Sequence, residues 1–256
     1  MSTYSEFETL AIQLARAAGD LVVPGFGKAR AAVDKGRAGF ATQFDIDAEH
    51  LIVSGIHAKY PDHSILAEEG SSEQRTAEFT WVIDPIDGTH NYMHGVPMFA
   101  VAIAVKHHDE HIVGVTYLPL TKEMFHGVKG NGAFKDGQQV HCSDTKNLSD
   151  AFLSVETTRR MQPEEQQRHL ALSRSIFRSR SIGSAACSLA YTAEGVFDGY
   201  ADLHQQTHEW DWAAGKLLVE EAGGTFKIFP GKGVAATSKQ LAASLEAIVQ
   251  GSSPAV

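Results

Sequence analysis

Four short apolar runs between residues 64 and 117 constrain the fold of this chain more than any other feature of its sequence. They occupy residues 64–67, 79–83, 99–105 and 112–117. Each run is too short for a typical helix and predicts a strand. The polar residues 107–111 (HHDEH) predict a solvent-facing hairpin loop that binds no metal, and the GNG and DG sequences at 130–132 and 136–137 predict two further turns. The first half is therefore expected to contain an antiparallel sheet.

Helical patterns flank this sheet region and dominate after residue 146. Ser5 and Glu8 have the spacing of a capping box at the start of an amphipathic helix that reaches Pro24. Five more helices are predicted, at residues 44–60, 163–177, 184–194, 211–222 and 239–249. These patterns predict an α+β fold with an N-terminal half, residues 1–145, and a C-terminal α/β half, residues 146–256.

Composition excludes several classes of function. The 256 residues carry a net charge of -9, which repels nucleic acid and anionic membranes, and we expect no direct binding to either. The chain lacks an apolar run long enough to cross a bilayer, and its N-terminus does not have the pattern of a signal peptide. Two cysteines far apart, Cys142 and Cys187, fit a reducing compartment, so a soluble cytoplasmic protein is expected.

The most informative segment is WVIDPIDGTHN at residues 81–91. An apolar strand runs into Asp84 and Asp87, and Pro85 restricts the backbone between them. Carboxylates at a strand end are held in position before a ligand arrives. Gly88 and Thr89 then offer backbone N–H groups to a phosphate. The alternative for this motif taken alone is an Asp-rich turn without a ligand.

A second apolar strand ends in acids, at Glu68 and Glu69. Carboxylates that lie close together repel one another unless a cation sits between them. Oxygen ligands, without histidine or cysteine at zinc spacing, favour Mg²⁺ or Mn²⁺ over Zn²⁺. The sequence therefore predicts a divalent-cation site at the ends of these two strands.

Three motifs together resemble the inositol monophosphatase family. They are Glu68-Glu69, the segment from Asp84 to Pro97 (DPIDGTHNYMHGVP), and the segment from Trp210 to Gly224 (WDWAAGKLLVEEAGG). Their order and spacing are similar to those of the family over residues 10–230. The resemblance implies a layered αβαβα sandwich of the sugar-phosphatase type, a magnesium-dependent and lithium-sensitive phosphatase, and a homodimer.

The resemblance also implies ligands for two or three Mg²⁺ ions, for which Mn²⁺ could substitute. The implied ligands are Glu68, Asp84, the Ile86 carbonyl, Asp87 and Asp211, with Asp84 bridging two ions. The segment from Thr42 to Asp45 is similar to the family's T-x-x-D motif, and Asp45, Thr89 and Glu68 are implied to orient the attacking water. Lys35 loosely matches a lysine that precedes this motif.

Substrate recognition is implied at Gly183, Ser184 and Ala185, where a helix begins, and at Asp202, the counterpart of an acid that binds inositol hydroxyls in some relatives. The following loop, residues 203–209, is longer than is usual in the family. It contains His204, Gln205, Gln206 and His208, which could recognise another polyol or an amino alcohol. The alternative is that this loop only packs on the surface.

Hydrolysis of a small phosphate monoester is the expected function, on inositol monophosphate or a related polyol or sugar phosphate. Histidinol phosphate is the main rival substrate; fructose 1,6-bisphosphate and 3'-phosphoadenosine nucleotides are the others. Two alternatives come from different classes: an interaction partner in a transcription complex, as for some bacterial relatives, and a cation-binding protein without catalysis. The complete ligand set argues against the interaction partner, and the positions that the site leaves open for water and phosphate argue against a cation-binding protein without catalysis.

Overall fold

The computed structural model describes residues 3–34, 40–158, 160–204, 207–230 and 233–251. Lys35, Gln205 and Gln206 lie outside the described residues. The helices in the described ranges are α1 Thr3–Val22, α2 Gln43–Lys59, α3 Thr89–His94, α4 Pro163–Ser175, α5 Ala185–Ala193, α6 Glu209–Glu221 and α7 Ala242–Gln250. The strands are β1 Ala31–Asp34, β2 Phe40–Thr42, β3 Ser64–Ala67, β4 Phe79–Asp87, β5 Ala100–His107, β6 Glu110–Leu118, β7 Glu123–Val128, β8 Ala133–Lys135, β9 Gln138–Val140, β10 Phe152–Glu156, β11 Arg178–Arg180, β12 Gly199–Asp202, β13 Gly224–Phe229 and β14 Gly233–Ser238.

These elements form five layers. Strands β3 to β9 make a seven-stranded sheet in chain order, and a second sheet has the order β11-β10-β12-β14-β13. Helices α1 and α2 cover the outer face of the first sheet, α5 and α6 lie between the sheets, and α4 and α7 cover the far face of the second. The expected αβαβα sandwich is confirmed. The boundary between halves at residue 145 stays a prediction.

The two faces of β5 differ in side-chain size, and this difference brings α6 close to the sheet. Val101, Ile103 and Val105 face the outer helices, whereas the alternating alanines at 100, 102 and 104 face α5 and α6. On the neighbouring strand, a Cβ at Gly114 would lie 2.6 Å from the Ala214 carbonyl oxygen of α6. Small residues are therefore required where α6 crosses the sheet.

The first sheet is mixed, not purely antiparallel. Strands β4 to β9 pair antiparallel, but β3 runs parallel to β4, with Ala67 opposite Ile83. Apolar strands do not reveal their direction by sequence alone, so the pattern could not show this pairing. The consequence is that Glu68 and Asp84, which follow Ala67 and Ile83, emerge side by side at the same edge.

Three local predictions are corrected. Helix α1 already includes Thr3, so Ser5 lies inside the helix and does not cap it. Helix α6 begins at Glu209, which places Asp211 inside its first turn. The polar run 107–111 is not wholly a solvent-facing loop, because β6 begins at Glu110 and His111 is only 6% exposed.

No helix in the described part of the chain is long and apolar enough to span a membrane.

Candidate active site

The centre of the candidate site is a cluster of three aspartates from distant parts of the chain. Asp84 and Asp87 come from the end of β4, and Asp211 comes from the first turn of α6. Each contributes one carboxylate oxygen to a group in which all three oxygens lie within 4.8 Å of one another. An all-oxygen set of this kind suits a hard divalent cation.

Burial and mutual repulsion disfavour the charged forms of these aspartates. Burial is the main cause that raises the pKa of Asp84 well above its usual range, and the neighbouring charges of Glu68, Asp87 and Asp211 raise it further. The pKa of Asp87 is raised to about 7, again chiefly by burial. Burial and the charge of Asp87 raise the pKa of Asp211. A divalent cation at this position would remove the repulsion, so the residues fit the metal that the sequence predicts.

Hydrogen bonds from nearby elements hold each carboxylate in place. The Ile86 amide donates to Asp84 Oδ1 over 3.1 Å, and the His208 amide donates to Asp211 Oδ2 over 2.6 Å. Asp87 Oδ2 accepts from the Ser184 hydroxyl and, over 2.7 Å, from the Ala186 amide at the start of α5. Ser184, predicted to contact substrate, therefore also contacts one of the cluster aspartates.

Asp45 forms one buried network with Thr89, which is predicted to act with it, and with Thr42. Asp45 Oδ2 accepts from the Thr42 amide over 2.7 Å, which closes the capping box of α2. Thr89 Oγ1 lies 3.0 Å from Asp45 Oδ1 and 3.1 Å from the Ile86 carbonyl oxygen. Burial raises the pKa of Asp45, and the hydrogen bonds from Thr42 and Thr89 partly oppose that shift. The charge of Glu68 raises the pKa of Asp45 and also that of Asp84, so Glu68 acts electrostatically on both carboxyl groups.

The turn after Asp87 depends on a glycine. Gly88 has φ of 91°, a left-handed conformation, and α3 begins directly after it at Thr89. A Cβ at Gly88 would lie 3.0 Å from the Met98 carbonyl oxygen and 3.2 Å from that of Gly183. Glycine is therefore favoured by both backbone conformation and space. Nearby, the Asn91 amide group donates to the carbonyls of Met98 and Ile182 and ties α3 to the 180–184 loop.

A cavity of about 190 Å³ adjoins the aspartate cluster. All four residues predicted to contact substrate line it: Gly183, Ser184, Ala185 and Asp202. Asp87 and Asp211 also line it, so the cavity is continuous with the cluster. Burial raises the pKa of Asp202 to about 7.

Several cavity residues were not predicted as site residues. Glu156 ends β10 and accepts hydrogen bonds from the amides of Ile182 and Gly183, both 3.1 Å. Its position after an apolar strand is the same signal that identified Glu68. Tyr200 carries no such signal; its hydroxyl is buried and has no hydrogen-bond partner among the described residues. His204, already noted in the 203–209 loop, lines the cavity with its Nε2 3.1 Å from Asp202 Oδ1.

Beside Asp211, Glu209 makes an ion-pair contact that the sequence did not reveal. Glu209 Oε1 lies 2.8 Å from Lys106 Nζ and 3.0 Å from His111 Nε2. The His111 hydrogen bond is the main cause that lowers the pKa of Glu209 to about 2, with Lys106 contributing and burial opposing. His111 is thus a buried partner of α6, because the antiparallel pairing of β5 and β6 turns it inward.

Comparisons with known proteins agree with this arrangement. The model of the inositol monophosphatase family matches residues 3–252. A fructose-1,6-bisphosphatase/inositol-1-monophosphatase of Aquifex aeolicus is 32% identical over 238 residues, covering 89% of this chain and 88% of that protein. The Nus factor SuhB of Vibrio cholerae is 36% identical over 233 residues, covering 87% and 85%. An inositol monophosphatase structure from Anabaena superposes with a TM-score of 0.86 at 30% identity, covering 99% and 98%. With its fold, acidic cluster and near-complete family match, the chain is a phosphatase that belongs to the inositol monophosphatase family.

Proposed function

We propose that the protein hydrolyses a small phosphate monoester, an inositol phosphate or a related polyol or sugar phosphate, with Mg²⁺ as cofactor. The observation that carries this proposal is the convergence of Asp84, Asp87 and Asp211 within 4.8 Å beside a cavity. Glu68 and the Ile86 carbonyl complete the proposed ligand set. Two or three Mg²⁺ ions would bind there, and Mn²⁺ could substitute. When bound, these ions would neutralise phosphate charge and activate water for attack.

Glu68, Asp45 and Thr89 are proposed to orient the attacking water. The support is geometric: Thr89 Oγ1 lies between Asp45 Oδ1 and the Ile86 carbonyl oxygen, so its proton is directed to one of two fixed acceptors. The oxygen lone pairs of Thr89 then remain available to accept a hydrogen bond from water. The amides of Gly88 and Thr89, at the start of α3, are proposed to bind phosphate oxygens.

The cavity is proposed to hold the alcohol part of the substrate. Among the described residues that line it, the charged side chains are carboxylates and none is a lysine or arginine. This charge pattern favours hydroxyl groups, which donate hydrogen bonds to Asp202 and Glu156, over a second phosphate. It also favours the second candidate, histidinol phosphate, because the amine of an amino alcohol would be attracted by the same carboxylates.

Other properties implied by the family are part of the proposal. We expect inhibition by tens of millimolar Li⁺ and assembly as a homodimer. The alternative from a different class is that the protein acts as an interaction partner in a transcription complex. Its support is the similarity to relatives named Nus factor SuhB. An Asp84→Asn protein that lacks phosphatase activity but restores the phenotype of a deletion strain would favour that alternative.

Phosphate release from a panel of substrates tests the proposal. The panel contains inositol 1-phosphate, histidinol phosphate, fructose 1,6-bisphosphate, a 3'-phosphoadenosine nucleotide and β-glycerophosphate, each with Mg²⁺ and with EDTA. We expect turnover that needs Mg²⁺ and is strongest on inositol or histidinol phosphate. Asp109→Asn, at an exposed aspartate of the β5–β6 loop, is the control and should keep full activity. Folded protein that turns over no member of the panel would contradict the proposal.

A further inference from the structure

Helix α6 is attached to the seven-stranded sheet at both ends by glutamates. At its start, Glu209 contacts Lys106 of β5 and His111 of β6. At its end, the Glu221 carboxylate accepts hydrogen bonds from the amides of Gly130 and Gly132, each 2.8 Å. The first attachment lies in the same helical turn as Asp211, whereas the second is three turns further along the helix.

Asp211 is the cluster aspartate that comes from α6, so its distance to Asp84 and Asp87 depends on where α6 lies. The Lys106–Glu209–His111 contact is partly buried: the three side chains are 16%, 25% and 6% exposed. Trp212, the residue after Asp211, packs its ring edge-on against His111 with the ring centroids 5.6 Å apart. The residues on both sides of Asp211 are therefore fixed to the end of the β5–β6 hairpin.

We propose that Lys106 and His111 are positioning residues for the metal site: through Glu209 they hold the first turn of α6 where Asp211 can share a cation with Asp84 and Asp87. This inference rests on the proposed metal-dependent function. Neither residue touches the cluster. Asp84 pairs with Ala102 in the sheet, and Lys106 is four residues further along β5, which is about 14 Å at ~3.4 Å per residue.

The direction in which Lys106→Met changes the affinity for a divalent cation distinguishes a positioning role from a purely electrostatic one. Lys106 is a positive charge near a cation site, so charge alone predicts that Lys106→Met binds a divalent cation more tightly. Positioning predicts weaker binding, because the first turn of α6 loses its attachment. Partners that orient metal ligands directly are worth ~10–100-fold in metal affinity. Since Lys106 acts through Glu209 and the helix backbone, we expect the lower end, about tenfold.

The test is direct binding of MnCl₂ to the metal-free full chain. Calorimetry and the electron paramagnetic resonance signal of free Mn²⁺ measure this binding. Lys135→Met is the matched control, because Lys135 is also a partly exposed lysine between two glutamates, Glu123 and Glu194, but on β8. Both variants should lose thermal stability. Only Lys106→Met should bind Mn²⁺ about tenfold more weakly than the wild type.

The remaining outcomes are also decisive. Equal or tighter Mn²⁺ binding by Lys106→Met would overturn the inference while leaving the proposed function intact. Wild-type protein that binds no Mn²⁺ would overturn both. If Lys106→Met does not fold, His111→Gln replaces it, with His126→Gln as control, because His126 makes a similar contact to Glu8 away from the site at 2.7 Å. Weaker Mn²⁺ binding by His111→Gln alone would support the inference; equal binding by the two would overturn it.

Discussion

The three cluster aspartates and Glu156 meet at the cavity as two groups, and they differ in how their charge is compensated. Asp84, Asp87 and Asp211 face one another, and the charges of Asp87 and Asp211 add to the rise that burial causes in the pKa of Asp84. Glu156 instead accepts hydrogen bonds from the Ser181 hydroxyl and from two backbone amides of the same loop. The aspartates also accept hydrogen bonds from the protein, but their mutual repulsion is left for the proposed cation to remove, whereas Glu156 is compensated by the loop itself.

This difference indicates separate tasks. A cluster whose charges repel one another gains most from binding a divalent ion, so it suits catalysis. A carboxylate bonded to the amides of Ile182 and Gly183 fixes the shape of the loop that carries Ser184. Changes in the cluster should therefore alter metal binding, whereas changes around Glu156 should alter substrate binding.

The largest effect is expected for Asp84→Asn. Loss of the central carboxylate should lower the rate of hydrolysis by about 10³-fold or more, comparable to the loss of a strong electrostatic contact in a transition state. The same change should raise the melting temperature of the metal-free protein, because it removes a buried carboxyl group whose charged form is disfavoured by burial and by the charges of Glu68, Asp87 and Asp211. Phosphate release and thermal unfolding in EDTA measure the two effects. A variant that is inactive and also less stable in EDTA would contradict the repulsion on which the comparison rests.

The second effect is the pH dependence of stabilisation by Mg²⁺. The folded-state pKa of Asp87 is raised to about 7, above its usual value near 3.8, so its contribution to the stability of metal-free protein is present at low pH and lost as pH rises through about 7. Mg²⁺ removes that loss. We expect the increase in melting temperature caused by Mg²⁺ to be about 3 °C larger at about pH 8 than at about pH 6. Thermal unfolding with MgCl₂ and with EDTA measures it, and an increase that does not change with pH would count against the buried cluster.

A smaller effect is expected for Glu156→Gln. The charge-assisted hydrogen bonds to the 181–183 loop weaken, and since such bonds are worth ~1.5–3 kcal/mol, KM should rise about tenfold. The affinity for Mg²⁺ should change less than KM, because Glu156 is not among the clustered carboxylates and acts on them only through its charge, which raises the pKa of Asp87. Ser181→Ala, which removes one of the donors, is the graded control and should raise KM less. A shift in Mg²⁺ half-saturation as large as the shift in KM would erase the distinction between the two groups.

The smallest effect is expected for Asp202→Asn. Asp202 lines the cavity and contacts His204, so the amide should change the ranking of substrates by about threefold and leave metal binding unchanged. The ratio of kcat/KM for inositol 1-phosphate and histidinol phosphate measures this. If Asp202 recognises the amine of histidinol phosphate, the kcat/KM for histidinol phosphate should fall more than the kcat/KM for inositol 1-phosphate. Identical ratios for variant and wild type would assign the cavity's selectivity to other residues.

Much of the cluster could be predicted from sequence because its residues follow short-range rules. Asp84 and Asp87 come directly after an apolar strand, and Gly88 occupies the position that a left-handed turn requires. The T-x-x-D segment was identified through the family resemblance, and the structure shows that it is also a local feature, since Asp45 closes the capping box that begins at Thr42. These features depend on residues within a few positions of one another, which a linear pattern records.

Other site residues depend on long-range pairing and were missed or misplaced. The polar pattern predicts a solvent-facing loop at His111, but the contact of His111 to Glu209 joins residues far apart in the chain. Tyr200 was missed, because nothing near it in the sequence distinguishes a cavity residue from a core residue. Glu156 was detectable in principle, since an acid ends β10 and an acid directly follows β3, but it lies outside the motifs that carried the family resemblance.

The sequence by itself determined the element types and the acids at the ends of β3 and β4, because these depend on local periodicity and spacing. It marked Asp211 only through the resemblance of its motif to the inositol monophosphatase family. Tertiary structure decided that β3 runs parallel to β4, that α6 lies between the sheets, and that Asp211 reaches the β4 aspartates. The physical reason is packing. Alternating small side chains on one face of β5 allow α6 to pack close to the sheet. This close packing requires that both faces of β5 are buried at the same time, one by the outer helices and one by α5 and α6, and no single segment of the sequence specifies that.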